Sequence, residues 1–196
     1  YSAAVQAFKN GAVQLAWFGG LSGVQAQMAV PGANAIAMGA SDAKFKTYFI
    51  AHKSTGLKAS ADFPFKAKGL TFTFGSQGST SGRLMPEYYL MENTQQKPKE
   101  FFSKVGFSGD HSKTITQVND GIFKVGAVNY KVWEKDKANN PNVSVIWKTP
   151  DYVDYNWTAH PALEEKFGKG FTDKLQKVLL ELKDEELLKL CQRPEG

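Results

Sequence analysis

One cysteine, Cys191, stands in a chain of 196 residues, and that scarcity excludes an internal disulfide and any cysteine-built metal set. It reads as a free, partly buried thiol and leaves the compartment open. Long apolar runs are also missing, since none approaches the roughly 20 residues that a membrane-spanning helix requires. No charged segment followed by an apolar one opens the chain in the manner of a signal peptide. Arginine-rich arms, zinc-finger spacings and RNP-like runs are absent and the basic residues are scattered, so no nucleic-acid partner is expected. There is no internal repeat and no low-complexity linker, which places any lobe boundary at a strand crossing and not in a tether.

What is present is an ordinary globular composition, 42% hydrophobic and 13% aromatic, with enough length for one large domain or two small lobes. The 24 Lys and Arg against 19 Asp and Glu give a formal net charge of +5, a surplus compatible with attracting a small anion. Asn142-Val143-Ser144 and Asn156-Trp157-Thr158 have the form of N-glycosylation acceptors, a pattern that carries weight only in a eukaryotic secreted chain.

Short β-branched or aromatic stretches at 15–18, 35–38, 48–51, 70–74, 105–107, 125–128 and 143–147 predict strands. Amphipathic segments at 3–9, 21–29, 83–92, 112–119 and 130–137 predict helices among them. That alternation implies an α/β architecture with mainly parallel sheets. After Trp157 the chain reads as all helical, at 161–167 and 172–190, with a packing stripe of Leu175, Val178, Leu179, Leu182, Leu187, Leu188 and Leu190.

In open α/β sheets ligands bind beyond the carboxyl ends of strands, where the next helix offers free N–H groups. Three strand-end loops qualify. The first, GSQGSTSG at 75–82, is either a flexible turn with an N-cap or a cradle for an oxyanion; three consecutive hydroxyls, Ser79-Thr80-Ser81, exceed what one cap needs. It lacks the lysine of a P-loop, which disfavours nucleotide hydrolysis. The second carries His111, a candidate general base that no Ser-His-Asp order or metal-ligand spacing accompanies. The third sets Asp154 among Tyr152, Tyr155 and Trp157, either an aromatic ligand wall or a solvated turn with a packed tryptophan.

Taken in order, these stretches resemble the phosphate/phosphite/phosphonate substrate-binding proteins that serve ABC transporters. Residues 1–8, YSAAVQAF, are similar to the family's Asp-Tyr helix start, and 13–20, VQLAWFGG, to its VDxAWxG strand. Residues 78–82 match its STSG anion loop, 108–111 its GxH loop and 145–150 its IWxSP strand. The wording at 17–26 and 107–114 is most similar to a subgroup labelled selenate binders. The resemblance covers nearly the whole chain and implies a two-lobed fold of the type II periplasmic binding class, with lobes at 1–74 plus 155–196 and at 75–154 and a ligand cleft between them that closes by hinge motion.

The family also has a strand-helix-strand before the Asp-Tyr motif and a continuation beyond 187–190, neither of which is matched here, so the first lobe is expected to be incomplete. Open sheet edges would then favour an oligomer if they are covered. Carried over by position, the resemblance implies ligand contacts from Tyr1, Tyr48, Ser79, Thr80, Ser81, His111 and Asp154; Trp17 and Tyr155 are added as aromatic walls on their residue type. It implies a small oxyanion ligand (phosphonate, phosphite, phosphate or selenate-like), an ABC-transporter permease as partner, a periplasmic or secreted location, no cofactor, no metal and no enzymatic activity. A carboxylate accepts only from a protonated oxygen, so Asp154 would select anions that keep an O–H. The family's phosphonate binders carry an acidic residue where this chain reads Tyr130-Lys131, so an amine-bearing ligand loses its counter-charge. The alternative is a repurposed binding protein whose aromatic residues, Trp17, Phe18, Tyr48, Tyr152, Tyr155 and Trp157, hold a larger pigment or lipid. An enzyme using His111 and Asp154 would lack a nucleophile paired to a base.

Overall fold

The computed structural model describes residues 2–183. The expected contributions of Tyr1, Cys191, Leu187, Leu188 and Leu190 lie outside them. The chain forms two compact units. One spans Ala43–Asp154; the other joins Ser2–Asp42 to the segment that begins at Tyr155.

In the second of these, α1 (Ser2–Lys9) leads to β1 (Leu15–Phe18), α2 (Gly20–Ala29) and β2 (Asn34–Ala37). After the chain returns, β8 (Asn156–Ala159), α7 (Ala162–Phe167) and α8 (Phe171–Glu181) follow. β8 lies between β1 and β2 and is antiparallel to both. The stretch after Trp157 is therefore not all helical: Trp157 and Thr158 suit a strand, but four residues ending on His160-Pro161 are too short to show an alternating pattern in the sequence. Phe8, Phe18, Ala26, Val30 and Ala33 make one core cluster beneath α1 and α2. Ile36, Ala159 and Leu163 pack with Leu175 and Leu179 of α8 in another. The helix expected from 172 stops at Glu181, and Leu182 is already extended.

The other unit contains β3 (Thr47–His52), β4 (Thr71–Phe74), α3 (Met85–Thr94), α4 (Pro98–Phe101), β5 (Lys104–Phe107), α5 (His111–Asn119), β6 (Val125–Asn129), α6 (Tyr130–Asp136) and β7 (Val143–Lys148). Its five-stranded sheet has the order β5-β4-β6-β3-β7. β5, β4 and β6 pair parallel, whereas β3 pairs antiparallel with both β6 and β7. The α/β class holds, but the sheets are mixed and not mainly parallel. Each contains a strand that enters antiparallel between two strands joined through a helix: β8 between β1 and β2, and β3 between β6 and β7. The same pairing of β3 draws residues 43–74 into this unit, so the first crossing falls at 42/43 and not at 74/75. The second falls at 154/155.

One face of this sheet packs Tyr48, Ile50 and Val128 against Ile115 and Val118 of α5 and Trp133 of α6. On the other face Phe49, Phe63, Phe72, Phe101, Phe102 and Trp147 interlock through edge-on and stacked rings. Such aromatic pairs add about 0.5–1.5 kcal/mol each beyond their burial. The sheet is therefore a rigid support for the loops at its edge.

Candidate functional site

β4 ends at Phe74, and after the turn at 75–78 Ser79 takes an extended backbone (φ −83°, ψ 135°) whose Oγ accepts from the Gly82 N–H at 2.9 Å. The next turn, Thr80–Leu84, is one residue wider than an α turn: Leu84 N–H donates to the Ser79 carbonyl at 3.0 Å and Met85 N–H to that of Thr80. Such single π turns are frequent at functional sites. The following bond of this register would run from residue 86 to the Ser81 carbonyl, but Pro86 has no N–H. Thr47 Oγ1 takes that place, donating to the Ser81 carbonyl at 2.8 Å. Ser79, Thr80 and Ser81 are all buried.

Gly82 is needed for close approach, because a Cβ there would lie 2.9 Å from Ser79 Oγ and 3.0 Å from His111 Cε1. The Gly75 N–H donates to the Gly82 carbonyl at 2.8 Å, closing the loop onto itself. His111 opens α5 behind an Asp110 N-cap whose carboxylate accepts from the Lys113 N–H. The imidazole Nδ1 accepts from the Asn129 N–H at 3.3 Å, so the proton of the neutral ring belongs on Nε2, 3.4 Å from Ser81 Oγ. Burial lowers the His111 pKa to about 4, against the opposing pull of Asp110. At neutral pH the ring is uncharged and presents one N–H to the cradle.

The third strand-end loop reaches the same place. Phe45 and Tyr152 form an antiparallel bridge through N–H to carbonyl bonds of 2.9 and 3.0 Å, which sets the Tyr152 phenol beside Thr47. Its oxygen lies 2.7 Å from Thr47 Oγ1. Burial, and then the charge of Asp154, raise the Tyr152 pKa, while hydrogen bonding to Thr47 and Ser81 pulls the other way. Asp154 is itself 1% exposed, so its carboxylate acts through a poorly solvated region.

The fold thus draws Ser79, Thr80, Ser81 and His111 into one cluster, with Asp154 on its Tyr152 side. Tyr48 goes elsewhere. Successive strand residues face opposite ways, and with Thr47 turned to the cradle, Tyr48 packs against Tyr130 and the α5/α6 core with Lys148 Nζ 5.0 Å above its ring. Trp17 and Tyr155 belong to the other unit, where their rings stack at 5.9 Å and Trp157 meets Trp17 edge-on at 5.1 Å. Phe18, a wall residue of the larger-ligand alternative, is buried edge-on against Phe8. Thr47, Thr149 and Asn129 are participants that the sequence does not announce. The one available signal was period-two alternation through 47–51, which requires 47 and 48 to face opposite ways but does not say which faces the loop. Among the described residues no three His, Cys, Asp or Glu side chains gather as a metal site.

Residues 1–193 match the family model described as ABC transporter, phosphonate, periplasmic substrate-binding protein. The chain is 46% identical over 188 residues to a probable ABC transporter phosphite-binding protein of Prochlorococcus marinus (strain MIT 9301), an alignment covering 93% of this chain and 63% of that one. It is 28% identical over 157 residues to the phosphonates-binding periplasmic protein of Escherichia coli (strain K12), covering 76% and 46%. The Prochlorococcus protein solved in complex with methylphosphonate superposes with a TM-score of 0.83 at 45% identity, covering 93% of this chain and 69% of that one. The chain therefore spans less than two thirds of the length of both curated relatives.

Proposed function

We propose, from the premise that the chain belongs to the periplasmic phosphonate substrate-binding proteins of ABC transporters, that it captures a small phosphorus oxyanion for uptake. The ligand class is phosphite or a short alkylphosphonate, held at the Ser79-Thr80-Ser81 turn. The observation that carries this reading is the donor set gathered there: hydroxyls at a helix start and a neutral His111 whose Nε2–H points at Ser81. Hydroxyl, amide and imidazole N–H groups donate to oxyanion oxygens without requiring a formal positive charge.

Asp154 supplies discrimination. A phosphite or phosphonate monoanion keeps one P–O–H that can donate to its carboxylate, whereas selenate at neutral pH has no proton to offer and would meet like charge. A larger aromatic ligand is disfavoured because Phe18 and Tyr48 are spent in packing. The role is binding and not catalysis, since His111 faces a hydroxyl at 3.4 Å with its N–H and not with a basic nitrogen. Delivery would be to the permease of an ABC transporter, in a periplasmic setting.

Calorimetric titration with methylphosphonate, phosphite, phosphate and selenate tests this. Binding of the first two, weakened in Ser79→Ala and Ser81→Ala, is expected; no heat with any of the four defeats the reading.

A further inference from the structure

The Ser81–Gly82 peptide group is held from both sides. Its N–H, that of Gly82, donates to Ser79 Oγ at 2.9 Å, and its carbonyl accepts from Thr47 Oγ1 at 2.8 Å. The second bond fills a vacancy in the helix: Met85 N–H is committed to Thr80, and Pro86 has no N–H for Ser81. A buried carbonyl needs a partner. Thr47 provides it from a strand 34 positions away in sequence.

Thr47 is in turn held in a fixed sense. Its single hydroxyl proton goes to the Ser81 carbonyl, which can only accept, so in the 2.7 Å contact with Tyr152 the phenol is the donor. Its backbone N–H donates to Thr149 Oγ1 at 3.0 Å. The order Tyr152 O–H, Thr47 O–H, Ser81 C=O is a one-way relay through buried residues, and it ends on the residue whose Oγ stands beside His111 Nε2.

We propose that Thr47 and Tyr152 are positioning residues of the anion cradle, locking the Ser81–Gly82 peptide in the orientation in which Ser81 meets the ligand. The inference rests on the anion-binding reading above and deepens it. Neither side chain needs to touch the anion. Their contribution is pre-organisation: groups already ordered in the free protein lose little freedom when the ligand arrives. The pair acts on the oxygens that phosphite and methylphosphonate share, so its loss should weaken both ligands by the same factor.

The test is titration of methylphosphonate and of phosphite into the 196-residue chain and its variants Thr47→Val, Thr47→Ser and Tyr152→Phe, with amide hydrogen exchange at Gly82 in the unliganded state. Thr47→Val should weaken both ligands about tenfold, the scale on which removing one partner of a buried hydrogen bond acts. Tyr152→Phe should weaken them several-fold, and Thr47→Ser, which keeps the hydroxyl, should restore binding. Gly82 exchange should quicken in Thr47→Val and Tyr152→Phe and stay slow in Thr47→Ser. A role in global stability alone would lower the melting temperature of the variants and leave affinity unchanged while they are folded. Unchanged affinity in both Tyr152→Phe and Thr47→Val overturns the proposal. So does a loss confined to one of the two ligands. If the unsubstituted chain binds neither ligand, the anion reading falls and this inference with it; Tyr152→Phe serves if Thr47→Val does not fold.

Discussion

His111 gives the structure a pH signature that can be worked out in advance. In the unfolded chain its imidazole titrates near the ordinary histidine value of about 6.5, and in the folded chain burial lowers this to about 4. Above pH 6.5 both states are neutral and the group contributes its full stabilisation. As pH falls from 6.5 toward 4 the unfolded state takes up a proton that the folded state refuses, and stability declines. At about 1.4 kcal/mol per pKa unit the whole window is worth about 3 kcal/mol. Between pH 7 and pH 5 the linkage relation gives a loss of about 2 kcal/mol from this residue. Native-state hydrogen exchange at the amides of β3 and β6 is the suitable assay, because it reports the opening free energy of the unit that carries His111. Measured at pH 7 and pH 5 in the parent chain and in His111→Gln, the pH-dependent loss should be larger in the parent by about 2 kcal/mol. Groups other than His111 titrate in both proteins and cancel in the difference. Equal losses in parent and variant would refute the neutral, buried imidazole, and with it the assignment of Nε2–H as a donor to the cradle.

Other substitutions probe the cradle from different sides. Ser79→Ala removes the acceptor of the Gly82 N–H and should cost about 1 kcal/mol in urea unfolding, the scale of a lost N-cap. Gly82→Ala places a methyl group 2.9 Å from Ser79 Oγ and 3.0 Å from His111 Cε1, so a loss of about 1–3 kcal/mol is expected, with anion binding abolished in calorimetry. Gly106→Ala, whose added methyl would meet the Phe123 ring, at 2.4 Å, should lower the melting temperature while methylphosphonate affinity stays that of the parent. Asp154→Asn removes the charge that opposes a fully deprotonated anion, and in competition titrations the preference for methylphosphonate over selenate should shrink about tenfold.

Legibility in the sequence followed the range of the interactions. β1 occupies Leu15–Phe18, the stretch whose own residues announced a strand, because four apolar residues bounded by polar ones and glycines settle the matter locally. The hydroxyls of Ser79, Thr80 and Ser81 were visible for the same reason: a turn and its helix are neighbours in the chain. β8 was not visible, since its identity comes from pairing with β1 and β2, more than a hundred residues distant. Tyr48, expected as a ligand contact from the resemblance, packs in the α5/α6 core for a similarly long-range reason. Alternation makes Thr47 and Tyr48 face opposite ways, but which face looks at the cradle depends on α5 and α6 covering the other one. What the sequence did contain, unread, was Pro86. A proline at that place tells that one carbonyl of the preceding turn will lack its helical donor, and in a buried turn that vacancy must be filled from elsewhere in the fold. The donor turns out to be Thr47, ordered by Tyr152 across 105 residues, so the hydroxyl turn legible from local sequence is held in shape by contacts that only the folded sheet supplies.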